Sequence, residues 1–441
     1  MIWARWLLGA SVSAGLLFGL IAAASFTALL VSGSASRASL YVDVALLLGG
    51  TAATFFIVRA TGTIAAEAQG GPGARWVLWT VLVITLACAI VGFVWFTLAA
   101  PHGRWDAWAI WNLRARFLFR DGASQWPAAV SPLLASSHPD YPLLLSAGIA
   151  RTWQYIGADR PVVPAVVAAF FTFASVTILA PALAILRSPS QGLIGGVMLL
   201  ATPGFITQGA SQYADIPLGF FLLATIVLVS LHGRFESTRG LFLFLAGLTA
   251  SLAAWTKNEG LLFLLALVIA GGIMRARLSG GRGQLREVAA FAGGLAPILL
   301  LILYFKLYLA PANDLVAGQG LTETTARLSE LSRYAETAKA FTKEFLGLGI
   351  GHDSLGPVIA VLGVYLVSVG VEIEPSDRLV LHTGVITLAL MLGGYFFVFV
   401  TTPNDLADHL NKALDRLLLQ LWPSALFLYF LVACPLERPR G

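Results

Sequence analysis

An all-α polytopic membrane protein is the fold class this sequence predicts, and three observations predict it. Hydrophobic residues make up 58% of the 441-residue chain and charged residues 12%, about half the ~25% charged share typical of soluble domains. The mean hydropathy is +0.81. Apolar runs near 20 residues recur from one end of the chain to the other, each long enough to cross a ~30 Å hydrocarbon core as a helix. A transmembrane β-barrel would need alternating segments of ~10 residues, a pattern this sequence lacks.

The runs fall at 6–31, 39–58, 76–100, 160–186, 190–206, 213–231, 239–256, 258–275, 288–309, 354–371, 379–401 and 418–434, about twelve transmembrane helices in all. They group into an N-terminal pair (1–75), a central module (76–309) with a large loop at 101–160, a second long loop (310–353) and the C-terminal helices (354–441). The run at 6–31 is long for the apolar part of a signal sequence and is read as a retained span. Cys88 and Cys434 lie within or at the end of apolar runs and imply no disulfide framework. The formal net charge of +5 reflects topology rather than nucleic-acid binding.

Orientation follows from short-loop charge. With the N-terminus inside, the cytoplasmic connections hold Arg5, Arg59, Arg75, Arg187, Arg234, Arg239, Arg275, Arg277, Arg282, Arg286, Arg378, Arg438 and Arg440, while the short outer turns hold chiefly Arg37 and Lys257. Both termini then face the cytoplasm, and both long loops lie outside. The segment 141–156 is short and contains Arg151. Counting it as a span would invert every later loop, so it is expected to lie on the outer membrane surface or to dip into it. Loops as long as 101–160 and 310–353 within a compact bundle are usually functional.

Five polar breaks on the outer side carry candidate chemistry. In Trp105-Asp106-Ala-Trp108-Ala-Ile-Trp111-Asn112-Leu-Arg114-Ala-Arg116, an unbroken helix is expected, with tryptophans at the membrane–water interface. Asp106 stands at its head, where a carboxylate beside apolar rings can serve as a general base. Next comes His138-Pro139-Asp140-Tyr141-Pro142, whose prolines restrict the backbone and start the following helix. Asp215, in Tyr213-Ala-Asp215-Ile-Pro217, stands at the mouth of an apolar helix, where a charge by default marks a site. Trp255-Thr-Lys257-Asn-Glu259-Gly260 offers a self-satisfying Lys–Glu pair or a point charge for a phosphate. Last, Leu414-Asp415-Arg416-Leu-Leu-Leu-Gln420 carries Arg416, whose guanidinium suits bidentate phosphate contact. Each break also has a structural explanation: interfacial anchoring, helix-start acids complementing the dipole, or surface pairing.

In this order, the breaks resemble membrane glycosyltransferases of the GT-C type, in particular bacterial relatives of the dolichyl-phosphate-mannose protein mannosyltransferases. The resemblance rests on the acid of Trp105-Asp106-Ala-Trp108, the proline-bearing His138-Pro139-Asp140-Tyr141-Pro142, the Asp215-Ile-Pro217 turn followed by Trp255-Thr-Lys257-Asn-Glu259-Gly260, and the late Leu414–Gln420 stretch. It covers 76–275 and 400–435. Ala107 follows Asp106 where many members have a second acid, His138-Pro139-Asp140 stands where many have Lys-Pro-Pro, and two apolar runs precede the aligned region.

The resemblance implies a GT-C-like fold with outer-side juxtamembrane helices, in a bacterial plasma (inner) membrane, with the active site on the periplasmic side. It implies a sugar donor on a polyprenyl phosphate and inverting transfer to a hydroxyl of a glycan, lipid or protein acceptor. Asp106 would be the general base and Asp215 the second acid. Lys257 and Arg416, with Arg114 and Arg116 beside them, would hold the donor phosphate. His138, Asp140, Tyr141, Glu259 and Trp108 would line the substrate site. No cofactor is required; a divalent metal is compatible with this chemistry, although no Cys/His cluster points to one. No Gly-rich phosphate loop of the nucleotide-binding kind is present.

Two other functions fit the same class of protein. A multi-span lipid or solute transporter or flippase would show internal repeats and acids deep within spans, and both are scarce here. An outer-side ligase using a polyprenyl-diphosphate donor would rely on a late loop rich in His and Arg, for which 310–353 supplies Arg327, Arg333, Lys339, Lys343 and His352.

Overall fold

The computed structural model describes residues 2–33, 37–63, 72–120, 126–235, 238–276, 282–313, 320–347 and 358–436. Among these residues there is no β-strand, and a single bridge joins Val371 to Ala433. The N-terminal half consists of α1 (Ile2–Ser32), α2 (Arg37–Ala60), α3 (Pro72–Ala99), α4 (Asn112–Phe119), α5 (Leu144–Ile156), α6 (Val162–Leu186), α7 (Pro189–Leu200), α8 (Pro203–Ala210) and α9 (Asp215–Arg234). Then come α10 (Arg239–Thr256), α11 (Asn258–Ala276), α12 (Arg282–Tyr304), α13 (Leu321–Ser329), α14 (Leu331–Leu346), α15 (Val358–Val369), α16 (Arg378–Thr401) and α17 (Leu406–Val432).

Among the described residues, nine helices are long and apolar enough to cross a membrane: α1, α2, α3, α6, α9, α11, α12, α16 and α17. The chain is therefore an all-α, polytopic membrane protein by length and composition. The run expected as a span at 190–206 forms a bent pair, α7 and α8, meeting at 61°. The cause is local. Thr202 is extended and Pro203 begins α8, where a missing N–H and a restricted preceding residue end one helix and start another. Trp422 Nε1 holds the bend by donating to Thr202 Oγ1 at 3.0 Å. The runs at 239–256 and 354–371 give shorter apolar helices over Gly240–Thr256 and Val358–Val369.

The core centres on α9, whose residues from Asp215 to Leu228 are all buried, enclosed by α6, α10 and α17. Its ring cluster, Phe170, Phe171, Phe220 and Phe221, packs edge-on at 4.9–5.2 Å, with Phe171 and Phe221 tilted at 5.7 Å, which adds geometry to plain area burial. At the periphery, α2 and α3 show most of their apolar side chains to the outside, as helices bathed in lipid do. Exposed rings bracket α3, with Trp76 and Trp79 near its start and Trp95 near its end.

The segment expected to lie on the membrane or to dip into it forms α5, which is enclosed by α1 and α4, with every residue from Leu144 to Arg151 buried. Arg151 pairs with Asp43 of α2, and Tyr155 donates to the same carboxylate at 2.6 Å. An arginine buried in an apolar bundle needs such a partner, and it pulls α5 inward. At one end of the bundle, cations meet acids and carbonyls: Arg234 chelates Asp377 at 2.9 and 3.0 Å, and Arg187 donates to the carbonyls of Glu372 and Ala433 at 2.9 and 3.1 Å. The opposite end carries the polar breaks. There α13 and α14 cover part of the surface, and Arg333 caps the end of α16 through Val400 O and Thr402 O at 2.7 and 2.9 Å. Residues 314–319 and 348–357, with His352 among them, lie outside the described residues.

Candidate functional site

Two turns bring the first acids together. After α3 the chain reverses at Gly103, whose φ is +75°. A Cβ there would stand 2.6 Å from Ser211 O, so only glycine fits. Arg104 N donates to Ser211 O at 3.2 Å, and Gln212 Nε2 donates to Pro101 O at 3.1 Å. The turn that leads to Asp106 is thereby joined to the turn that leads to Asp215. A single π-helical turn, Ala107–Trp111, then runs into α4.

Helix α17 supplies the bridge between the two acids. Arg416 and Gln420 are four residues apart and face the same side. Arg416 Nη1 contacts Asp106 Oδ2 at 2.5 Å, and its guanidinium lies over the Tyr213 ring at 5.1 Å. Gln420 Nε2 donates to Asp215 Oδ1 at 2.6 Å, while its Oε1 accepts from Tyr395 OH of α16 at 2.7 Å. Asp106 and Arg416 keep about a fifth of their side-chain surface open, whereas Asp215 is closed off. The expected apolar surrounding of Asp106 is thus replaced by a direct ion pair. Burial and the Asp106 carboxylate push the Tyr213 phenol above its ordinary pKa.

Lys257 sits in the sharp link between α10 and α11, where Gly260 approaches Ala253 O so closely that a Cβ would lie 1.9 Å away. Its ammonium touches Asp215 Oδ1 at 3.0 Å and Glu259 Oε1 at 2.8 Å. Burial works against the charge, but the two carboxylates outweigh it and hold Lys257 protonated well above the usual lysine range. Of the two readings open in the sequence, a paired Lys–Glu or a free point charge, the geometry has the first, with Asp215 added.

A third group adjoins these residues. Asp140 Oδ2 accepts from Asn258 Nδ2 and from Asn313 Nδ2, both at 2.7 Å. Lys306, in a π-helical turn (Phe305–Leu309) that extends α12, donates to Asp140 O and to Asn258 Oδ1, both at 2.6 Å. His138 takes a left-handed conformation with φ +44° and stacks on Tyr141 at 4.9 Å, and Tyr141 stacks on Trp111 at 5.7 Å. Lys257 Nζ lies 5.9 Å from the Tyr141 ring.

Arg114 and Arg116 are placed otherwise than as phosphate contacts. Arg114 is fully buried and donates to the carbonyls of Ala129, His138 and Pro139 at 2.7, 3.4 and 3.2 Å. Burial pulls its pKa down to about 9, against the opposing charge of Asp140, so it remains protonated at neutral pH and ties the loop together. Arg116 lies 3.5 Å from Asp159 and 5.6 Å from the Trp153 ring, on the other side of α4. Trp108 is exposed and packs edge-on against Trp105 at 4.5 Å.

Asp106, Asp215, Lys257, Glu259 and Arg416 therefore join into one band, which continues through Asn258 to Asp140 and Lys306. Sequence reasoning missed Lys306, Asn313 and Tyr395. A cation at the end of an apolar run was the available signal for Lys306. The band contains four acids (Asp106, Asp140, Asp215, Glu259) and three cations (Lys257, Lys306, Arg416), with Arg114 behind Asp140 and Asp415 beside Arg416. Among the described residues, no three His, Cys, Asp or Glu side chains gather into a metal-holding group. Compared with protein-family models, with curated proteins and with solved structures, the chain matches none.

Proposed function

We propose that this chain is an integral membrane glycosyltransferase of GT-C type, which moves a sugar from a polyprenyl phosphate to a hydroxyl of a glycan, lipid or protein acceptor with inversion at the sugar carbon. The observation that carries this reading is the Asp106–Arg416 pair. A partly open carboxylate stands beside a partly open guanidinium at one end of an apolar bundle, next to the buried Asp215–Lys257 pair and its partner Glu259. That combination suits a base for an acceptor hydroxyl within reach of a lipid headgroup.

In the proposed reaction, Asp106 leaves Arg416 and takes the acceptor proton as the acceptor oxygen bonds to the anomeric carbon. The bond from that carbon to the phosphate oxygen breaks on the opposite face, and its electron pair leaves with the phosphate. Fixed positive charge offsets the charge developing there, and holding donor and acceptor in line supplies a further share of the rate. Asp215, locked by Lys257 and Gln420, steadies the cluster rather than moving a proton. In this reading the arginine-bearing end with Arg187, Arg234 and Arg275 is cytoplasmic by short-loop charge. The band then faces the outer side of a bacterial plasma membrane, with both termini inside.

The test is sugar release from a panel of polyprenyl-phosphate sugars by the purified protein in detergent. One donor should turn over, and Asp106→Asn should lower its rate by about 10²–10⁴-fold with folding intact. An active, folded Asp106→Asn protein removes the base assignment. Lipid binding without turnover of any donor would favour the diphosphate ligase, and no binding at all would favour transport.

A further inference from the structure

The cations in and behind the band are not equivalent. Lys257 touches two carboxylates, Arg416 touches Asp106, and Arg114 is occupied by three backbone carbonyls. Lys306 also meets only uncharged oxygens, one backbone carbonyl and one amide, but unlike Arg114, which is fully enclosed with three carbonyls, it keeps part of its surface open. An ammonium has three N–H groups. Two are fixed by these contacts, and the third has no oxygen acceptor among the described residues, with the Phe305 ring 5.9 Å from the nitrogen. The side chain is half-buried, and its base is held firmly. Neighbouring Phe305 packs edge-on against Trp255 at 5.3 Å and Phe26 at 6.5 Å, and Asn258 is oriented by its second bond, to Asp140.

Inversion adds a directional requirement. The attacking oxygen and the leaving oxygen lie on opposite faces of the sugar carbon, so the base and the cation that receives the phosphate stand on opposite sides of the sugar. Arg416 contacts the base itself and therefore belongs to the acceptor side. Lys306 is separated from Asp106 by Asp215, Lys257 and Asn258 along the band. We infer that Lys306 holds the leaving phosphate of the donor, across the sugar from Asp106. This assignment rests on the glycosyl-transfer reading above.

The experiment compares binding of polyprenyl phosphate and of the matching uncharged polyprenol to the purified wild type, Lys306→Gln, Lys306→Arg and Arg416→Gln. Lys306→Gln should weaken polyprenyl phosphate about tenfold or more, the scale of one lost charge-assisted contact, and leave polyprenol binding unchanged. Lys306→Arg should restore phosphate binding to within about threefold. Equal phosphate affinity in Lys306→Gln and wild type overturns the assignment. Equal losses for phosphate and polyprenol also overturn it, because they mark a packing role. So does a loss of phosphate binding in Arg416→Gln alone. Donor turnover by the wild type tests the underlying reaction separately: turnover with an unchanged Lys306→Gln removes only Lys306, and a wild type inert toward all lipid-phosphate sugars removes the reaction.

Discussion

At the scale of single residues, the site is a problem of charge pairing in a poorly solvating environment. Lys257 is held by Asp215 and Glu259 at 3.0 and 2.8 Å, and removing one partner of a buried pair leaves the others uncompensated. Lys257→Met should therefore cost about 3–5 kcal/mol, read as a lower midpoint of thermal unfolding in detergent. A midpoint equal to wild type would mean that the cluster rearranges freely. The charged residues of the cluster were legible in sequence as polar breaks beside apolar runs, as Asp106, Asp215, Lys257 and Arg416 are. Their partnerships were not. Asp106 and Arg416 are 310 residues apart, and nothing in either local pattern encodes that contact. Lys306 went unnoticed because a lysine at the end of an apolar run also reads as a residue that snorkels to the interface.

At the scale of elements, the loop between α3 and α6 behaves as a built part of the bundle. Spacing alone predicts that Asn112, Arg116 and Arg120 share a side of α4, and Arg116 and Arg120 do converge on Asp159. Spacing cannot say which side faces the site. Arg114, two positions from Arg116, points the opposite way and binds carbonyls of the segment ending in Pro139. Arg114→Leu should leave those buried acceptors without donors and destabilise the loop by about 2 kcal/mol or more. Faster limited proteolysis between α4 and α5 would report it, and an unchanged digestion rate would show that the carbonyls find other donors. The same reasoning explains the α7–α8 bend, because hydropathy averages over Pro203 and reports a continuous apolar run where the backbone has turned.

At the scale of the whole molecule, the helices were legible because the bilayer demands long apolar runs. Their packing order was legible only in part, since lipid-facing and protein-facing apolar residues look alike in sequence. The aromatic rings of α3 supply a ruler. From Trp76 to Trp95 the helix rises about 28 Å, close to the ~30 Å of a typical hydrocarbon core. After reconstitution in lipids of graded chain length, thermal stability should peak near that thickness and fall on both sides; a flat profile would show that α3 does not set the bilayer contact. The balance of the polar band has an electrical consequence. Its acids stand in direct contact with cations, Asp106 with Arg416 and Asp215 and Glu259 with Lys257, so opposite charges there largely offset one another. A transmembrane voltage exerts ~2.3 kcal/mol on each elementary charge per 100 mV, and so finds little there to displace. The enzyme proposed here would wait for its substrate in the same state whether the cell membrane is energised or not.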